Sequence, residues 1–300
     1  MPVESRLPPT QSTLTEQARD QYLSYPELSD EELKAVLTAI YQRYKYDYRE
    51  FETLSLKRRI HTFMRRNRLE NISALWNTIL HDDSFAAKFN TEISVGLTAF
   101  FRDAILWNYL RGDLLPSLKS KKQLSVLHAG CSTGEEVYSM ALLLEELQLR
   151  QTTRTVACDI NYQFLSIAKE GKYTLPAIQD FEAQATNAGI SQRVLRKFVM
   201  RPTEGTISFD KDLLQHTSFE QKNIITDKIN ATHDIIFCRN VLIYFNKTAK
   251  LKVLNQLAKQ LNPGGILILG FFDSLMSHHF PGGIHQLNLN CKVYQKAIAP

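Results

Sequence analysis

The sequence lacks the features that mark disulfide-rich, zinc-binding or membrane-spanning proteins. Its four cysteines, Cys131, Cys158, Cys238 and Cys291, are scattered and form no C-x-x-C pair, so neither a disulfide framework nor a zinc site is predicted. No apolar run is long enough to span a bilayer. The N-terminal stretch MPVESRLPPTQST is polar and contains proline, so we expect no signal peptide. These absences favour a cytoplasmic protein, because a reducing compartment keeps thiols free.

Acidic residues are missing from one stretch of the chain, although its net charge is only +5. None lies between Glu52 and Glu70. The spacing of apolar residues predicts a helix over 53–68. Its polar surface carries six basic residues: Lys57, Arg58, Arg59, Arg65, Arg66 and Arg68. This surface is either a solvated helix face or a docking surface that attracts an acidic macromolecule.

Helical patterns dominate the N-terminal third of the chain. Ser29 and Glu32 form a capping-box pattern ahead of an apolar helix face, and further helices are predicted at about 71–80 and 82–90. We therefore predict a flexible lead at 1–24, a small all-helical domain at 25–92 and a second domain at 93–300. A composition of 44% hydrophobic and 22% charged residues is that of a folded protein.

The stretch 124–139, LSVLHAGCSTGEEVYS, predicts a buried strand, a tight turn through Gly130 and Gly134, and a helix from Glu135. In open α/β sheets, such a turn approaches a nucleotide-like ligand. The third glycine of the dinucleotide fingerprint is absent, and Glu135 and Glu136 would repel a pyrophosphate. A ligand with a cationic centre and no phosphate, such as S-adenosylmethionine, suits this turn better. An ordinary strand–turn–helix connection remains the alternative on this stretch alone.

Alternating strands and helices after residue 124 predict an α/β fold with a doubly wound, mostly parallel sheet. Short strand-like pieces at about 194–222 predict a small antiparallel β insertion. Asp159 ends the second strand, where it can accept the ribose hydroxyls of a bound adenosine or cap the helix at 161–170. Arg239 and Asn240 follow the buried strand DIIFC. Ligands of such sheets bind at the carboxyl ends of strands, where these residues fall.

Several motifs in one order resemble the chemotaxis receptor methyltransferase (CheR) family over about 95–296. They are LTAFFRD, AGCSTGEEVYS, ACDIN, QKNI, FCRNVLIYFNK and LNPGGILILG. The resemblance implies a class I S-adenosylmethionine methyltransferase fold. It also implies methylation of glutamate side chains on chemoreceptor helices, giving γ-methyl esters and S-adenosylhomocysteine. Receptor helices are the implied partner, and neither a metal, a nucleic acid nor membrane insertion is expected; we expect a monomer.

The resemblance also assigns roles to individual residues. It implies cofactor contacts for Thr98, Arg102, Glu135, Asp159, Asn223, Ile224, Arg239 and Asn240. Arg102 and Tyr244 are the residues expected beside the transferred methyl group, although on pattern alone Arg102 is a surface arginine. Receptor docking is implied for the basic helix through Arg58, Arg59, Arg65 and Arg66. His128 is expected to be a structural histidine.

The chain departs from the family pattern at three places, which keep other functions open. Gly96 stands where the family has Asn, Val137 replaces a Pro, and the segment 271–274 replaces a Ser-Glu-Asn stretch. The insertion lacks the glycines of members that tether a receptor pentapeptide, so we expect no tether. The alternatives are a methyltransferase for another protein or a small molecule, and a cofactor-binding regulatory module without catalysis. A nicotinamide dehydrogenase is disfavoured by the two glutamates at the turn.

Overall fold

The computed structural model describes residues 28–94, 96–227, 231–273 and 283–298. They form two compact units. The first contains the described residues up to Arg49 together with Thr53–Ile93, and the second contains Glu50–Glu52 and the described residues from Ser94 onward. Among these residues, none of the helices combines the length and the apolar character that a membrane span requires.

The described part of the first unit is helical, which confirms the predicted all-helical N-terminal domain. Its helices are α1 (Asp30–Tyr44), α2 (Thr53–Arg66), α3 (Ile72–His81) and α4 (Asp83–Ile93). The capping box is present, since the Ser29 hydroxyl accepts from the Glu32 backbone at 3.1 Å and the Ser29 backbone donates to the Glu32 carboxylate at 2.9 Å. Phe63 packs edge-on against Phe89 in the buried interior.

The second unit contains a seven-stranded sheet in the order β6-β2-β1-β7-β8-β10-β9. Its strands are β1 (Leu124–Ala129), β2 (Thr153–Asp159), β6 (Thr217–Gln221), β7 (His233–Cys238), β8 (Leu261–Leu269), β9 (Ile284–Asn288) and β10 (Val293–Lys296). The pairings from β6 to β8 are parallel, and β10 pairs antiparallel with β8 and β9. The predicted mostly parallel sheet is therefore confirmed.

Helices cover both faces of this sheet. They are α5 (Ala104–Tyr109, continued by a π-helical turn at Leu110–Leu114), α6 (Glu135–Glu146), α7 (Tyr162–Glu170), α8 (Phe181–Asn187), α9 (Gln192–Phe198) and α10 (Lys247–Gln260). Alternate residues of one strand enter different cores, because successive strand side chains point to opposite faces. Ile235 and Phe237 of β7 join the core that contains α6 residues, whereas Ile236 and Cys238 join the core that contains α10 residues.

A small antiparallel sheet is present, but its strands differ from the segments expected at about 194–222. It pairs β3 (Lys172–Thr174), β5 (Thr206–Phe209) and β4 (Val199–Met200) in that order. The segment 217–221, expected in the insertion, is instead β6, which pairs parallel with β2 at the edge of the main sheet. An edge strand is half solvated, so its sequence resembles that of a surface hairpin. The three residues of β3 are too few for a recognisable pattern.

Ser29→Ala should lower the free energy of unfolding of the helical unit by about 1 kcal/mol, because the cap at the start of α1 is lost. Chemical denaturation followed by far-UV circular dichroism measures the change. Glu31→Ala is the matched control, since Glu31 is exposed in the same helical turn and does not cap it. Equal stability of both variants would contradict the capping role.

Candidate cofactor and active site

A cavity opens at the carboxyl ends of β1, β2 and β7. Eight of the nine residues predicted to contact the cofactor or the transferred methyl group line it. They are Thr98, Arg102, Asp159, Asn223, Ile224, Arg239, Asn240 and Tyr244. The structure thus brings all of these predicted residues together except Glu135. The roles of these residues remain predictions.

The glycine turn between β1 and α6 forms the floor of the cavity. Gly130 has φ +80°, and a Cβ added there would lie 2.6 Å from Cγ2 of Val241. Only glycine fits this position without a shift of the neighbouring segment. The backbone N–H groups of Gly130 and Cys131 both donate to the carbonyl of Cys158, at 2.8 and 2.9 Å. These bonds fix the turn against the end of β2.

Asp159 lies beside this turn and is 9% exposed. Its carboxylate accepts from the backbone N–H of Ser132 at 2.9 Å and of Asn161 at 2.8 Å. Burial raises the pKa of Asp159, although these two N–H groups partly offset the effect. The N-cap of α7 is Asn161, whose side chain accepts from Gln163. Asp159 therefore lines the cavity without capping α7, and its remaining lone pairs can accept further hydrogen bonds.

Arg239 was predicted to contact the cofactor, but its guanidinium is engaged within the protein and only 4% exposed. It donates to Glu136 at 2.8 Å, to Asp103 at 2.6 Å and to the backbone carbonyl of Arg102 at 3.0 Å. These three acceptors belong to α6 and to the loop before α5. Arg239 thus fixes the wall of the cavity, and any contact with a ligand would be additional to these bonds.

Glu136, which the sequence analysis did not assign, also lines the cavity. Burial favours its neutral form, but the hydrogen bond with His128 and the charge of Arg239 outweigh burial and lower the pKa of Glu136. The His128 Nδ1 atom lies 2.8 Å from the Glu136 carboxylate, and the His128 ring stacks on Phe237 at 4.6 Å. These contacts are those of a structural histidine. Among the described residues, no cluster of side chains could hold a metal ion.

Arg102 lies in a strained loop at the cavity wall. Phe101 and Asp103 on either side of it have φ +48° and +65°, a region that non-glycine residues rarely adopt and that costs about 1–3 kcal/mol each. Besides Arg239, the Trp107 indole donates to the Arg102 carbonyl at 2.9 Å. The half-buried Arg102 side chain donates to the carbonyl of Leu97 at 3.2 Å. The surrounding contacts hold the Arg102 backbone in place.

Asp273 is another residue that the sequence analysis did not assign, and it holds the segment that carries Asn240 and Tyr244. Its carboxylate accepts from the backbone N–H groups of Asn240 at 2.5 Å, Gly270 at 2.8 Å and Ile243 at 3.1 Å. Burial raises the pKa of Asp273 despite these donors. Asp273 lies in the 271–274 departure, where Phe271 and Phe272 are exposed and Ser274 falls outside the described residues.

Glu135 lines a neighbouring cavity instead of the first one. Thr98 contributes to the walls of both cavities. The Glu135 side chain is buried and accepts from the Thr133 hydroxyl at 2.7 and 2.9 Å. Burial raises the pKa of Glu135, and the Thr133 hydrogen bond only partly offsets it. A cationic ligand group in this cavity would stabilise the ionised carboxylate.

The residues around the first cavity fit S-adenosylmethionine, the cofactor expected from the sequence. The glycine turn lets the backbone approach a ligand closely, and Asp159 offers a buried acceptor at the end of β2. The carboxylates of Glu135 and Glu136 follow the turn, where a phosphate would be repelled. Apolar side chains of Ile224 and Phe164 line the remaining wall. This donor and acceptor set suits an adenosine with a cationic substituent.

Glu135→Gln should raise the free energy of unfolding of the ligand-free protein at neutral pH, because the raised pKa means that ionising Glu135 opposes folding. In the wild type this cost is absent below the unfolded pKa of about 4.3. It grows as the pH rises to the folded pKa, and then stays constant. Denaturation at pH 4, below the unfolded pKa, and at pH 8 should show a larger gain for the variant at pH 8. An equal gain at both values would contradict the buried-carboxylate argument.

Arg239→Lys should lower the free energy of unfolding by about 3 kcal/mol, because an ammonium group cannot bridge the three acceptors and leaves buried charge unpaired. Lys197→Ala is the control, since it removes an ion pair in which Lys197 is 53% exposed and should cost less than about 1 kcal/mol. Urea denaturation measures both. Similar losses in the two variants would show that the Arg239 contacts contribute no more than a surface pair.

Two protein-family models match this chain. Residues 96–284 match the family model described as "CheR methyltransferase, SAM binding domain". Residues 31–94 match the family model described as "CheR methyltransferase, all-alpha domain". The chain is 33% identical over 247 residues to "Putative methyltransferase Cher3" of Pseudomonas putida, covering 82% of this chain and 90% of that protein.

Two further relatives are named chemotaxis protein methyltransferases. The protein of Vibrio anguillarum is 35% identical over 185 residues, which is 59% of this chain and 64% of that protein. Chemotaxis protein methyltransferase 1 of Vibrio cholerae is 34% identical over the same shares. This chain thus spans slightly less than two thirds of each Vibrio protein. The resemblance seen in the sequence motifs is confirmed: the chain belongs to the CheR methyltransferase family, with its S-adenosylmethionine-binding and all-alpha domains.

Proposed function

We propose that this protein transfers the methyl group of S-adenosylmethionine to glutamate side chains of chemoreceptor helices, giving γ-methyl esters. The observation that carries the proposal is the gathering of eight expected residues, Arg102 and Tyr244 included, around one cavity at the strand ends. Membership of the family and the names of the Vibrio relatives support the same activity. The reaction would take place in the cytoplasm, because the proposed acceptor glutamates lie on the cytoplasmic helices of receptors.

The reaction needs alignment more than acid–base catalysis. The cofactor supplies an electrophilic methyl group on a sulfonium. A glutamate side chain, with a reference pKa of about 4.3, is already ionised at neutral pH, so its oxygen attacks without losing a proton. S-adenosylmethionine bound in the cavity would supply this methyl group and would leave as S-adenosylhomocysteine, whose sulfur would keep the electron pair. The protein then acts by positioning the carboxylate and excluding water.

Individual residues take distinct parts in this proposal. Asp159 would accept hydrogen bonds from the ribose, and Asn223 and Ile224 would flank the adenine. Glu135 would pair with the cationic methionine end from the neighbouring cavity, which shares Thr98 with the first one. Arg102 orients the incoming glutamate carboxylate, while Tyr244 packs beside the reacting methyl group.

Arg239 acts mainly through others in this scheme. Its guanidinium holds Glu136, Asp103 and the Arg102 carbonyl, so it fixes the loop that presents Arg102. Asn240, with φ +57° and its N–H on Asp273, is held at the cavity wall in the same way. We therefore assign Arg239 to positioning and keep Thr98 and Asn240 as direct contacts.

The docking surface lies on α2 of the helical unit. Arg58, Arg65 and Arg66 are exposed there, whereas Arg59 donates to the Ile93 carbonyl at 3.0 Å and to Ser55. Of the four arginines expected to dock a receptor, Arg59 thus serves the fold of its own unit. The other three offer positive charge to acidic receptor helices. We propose that residues 25–92 form the docking domain and that residues 93–300 form the methyltransferase domain. We also propose that the protein is a monomer.

Arg102→Ala should lower kcat for receptor methylation by about 100-fold, because an unaligned carboxylate loses the effective concentration that positioning supplies. Cofactor affinity should change much less. Transfer of a radiolabelled methyl group measures turnover, and calorimetry with S-adenosylhomocysteine measures affinity. Mild alkali should release the label as methanol, since the product is an ester. Wild-type turnover in the variant, or alkali-stable label, would contradict the assignment.

Reversing charge on the basic helix should weaken receptor binding without affecting the chemistry. Arg58→Glu with Arg65→Glu should raise KM for a receptor fragment about tenfold at low salt and less at high salt, because exposed charges are screened. Arg193→Glu with Arg196→Glu on α9 is the matched control, since both residues are also exposed. An equal rise of KM in the two double variants would contradict a docking surface on α2.

A further inference from the structure

Gly96, which lines the neighbouring cavity, lies against the ring of Phe164, which lines the cofactor cavity. A Cβ built on Gly96 would lie 2.7 Å from Cζ of Phe164, and 3.1 and 3.2 Å from its two Cε atoms. These distances are shorter than ordinary carbon–carbon contacts. The far edge of the phenyl ring therefore occupies the space that any side chain at position 96 would need.

The ring cannot move aside easily. Phe164 is 5% exposed and lies in the first turn of α7. It has only two side-chain torsions, and a buried position restricts both, because protein interiors are closely packed. A larger residue at 96 would thus displace either the ring or the backbone of its own segment. Both form part of the cavity, since Phe164 and Leu97 belong to its lining.

A hydrogen bond beside this contact joins the same two parts of the chain. The Asn161 amide donates to the Ser94 hydroxyl at 3.3 Å. Asn161 is fully buried and caps α7, and its backbone N–H donates to Asp159. The start of α7 is therefore connected on one side to the carboxylate at the end of β2, and on the other side to the chain around Gly96.

We propose that Gly96 and Phe164 form one packed unit that seats residues 96–99 against α7, with Phe164 as a positioning residue for the adenosine part of the cofactor. The proposal rests on the proposed function only in taking this cavity as the cofactor site. Position 96 must then be glycine, because the ring of Phe164 leaves no room for a side chain there. The effect of a substitution at one of the two positions on cofactor affinity then depends on the residue at the other.

A double-mutant cycle tests the pair. Gly96→Ala should weaken S-adenosylhomocysteine binding about tenfold, because overpacking costs about 1–3 kcal/mol and 1.4 kcal/mol is tenfold in affinity. Phe164→Leu should weaken binding about threefold, because part of the wall is lost. The double variant should bind as Phe164→Leu does, since the shorter side chain makes room for the Ala methyl group. In turnover assays KM for the cofactor should follow these affinities while kcat stays unchanged.

Gly112→Ala is the matched control, because nothing lies within 4 Å of a Cβ at that exposed glycine. Wild-type affinity in Gly96→Ala, or losses that simply add in the double variant, would overturn the proposal. If Gly96→Ala unfolds, the double variant must still fold and bind as Phe164→Leu does. If the wild type itself binds no S-adenosylhomocysteine, the cofactor assignment fails, and thermal unfolding of the same four proteins then tests the packed unit by itself.

Discussion

The buried guanidinium of Arg239 is the interaction on which the rest of the site depends. It follows the central strand β7 and joins the helix after the glycine turn to the loop that carries Arg102. A buried charge is tolerated only when it is paired and its hydrogen bonds are made. The three acceptors must therefore assemble together, and a partly formed site would leave charge unpaired in the interior. Such a network contributes more to a unique arrangement than to net stability.

The position of the site could be predicted from the sequence because parallel strands all end at one edge of a sheet. Residues that end a strand or closely follow one, such as Asp159 and Asn240, meet there whatever the loops do. The glycine turn and the capping box were equally readable, since each depends on a few local residues. Alternating strands and helices likewise predicted the class of the sheet, and the spacing of apolar residues predicted the helical N-terminal unit.

Other features depend on the direction in which a side chain points, which the sequence pattern does not determine. Glu135 and Glu136 are successive helix residues, and they point about 100° apart around the helix axis. The sequence therefore could not decide which of them enters the main cavity. Likewise, a half-solvated edge strand such as β6 resembles a surface hairpin. The role of Asp273 depends on the backbone donors of Asn240 and Ile243, which are 33 and 30 residues away in the sequence.

All four thiols are buried, and three of them, Cys131, Cys158 and Cys238, follow or end the strands at the cavity edge. Burial raises the pKa of each, to about 12 for Cys158, so the reactive thiolate is scarce while the fold is closed. An alkylating reagent would consequently meet these sulfurs only during local opening of the strand ends. The rate at which these native thiols are alkylated would therefore report how often the strand ends beside the cofactor cavity open, without any engineered cysteine.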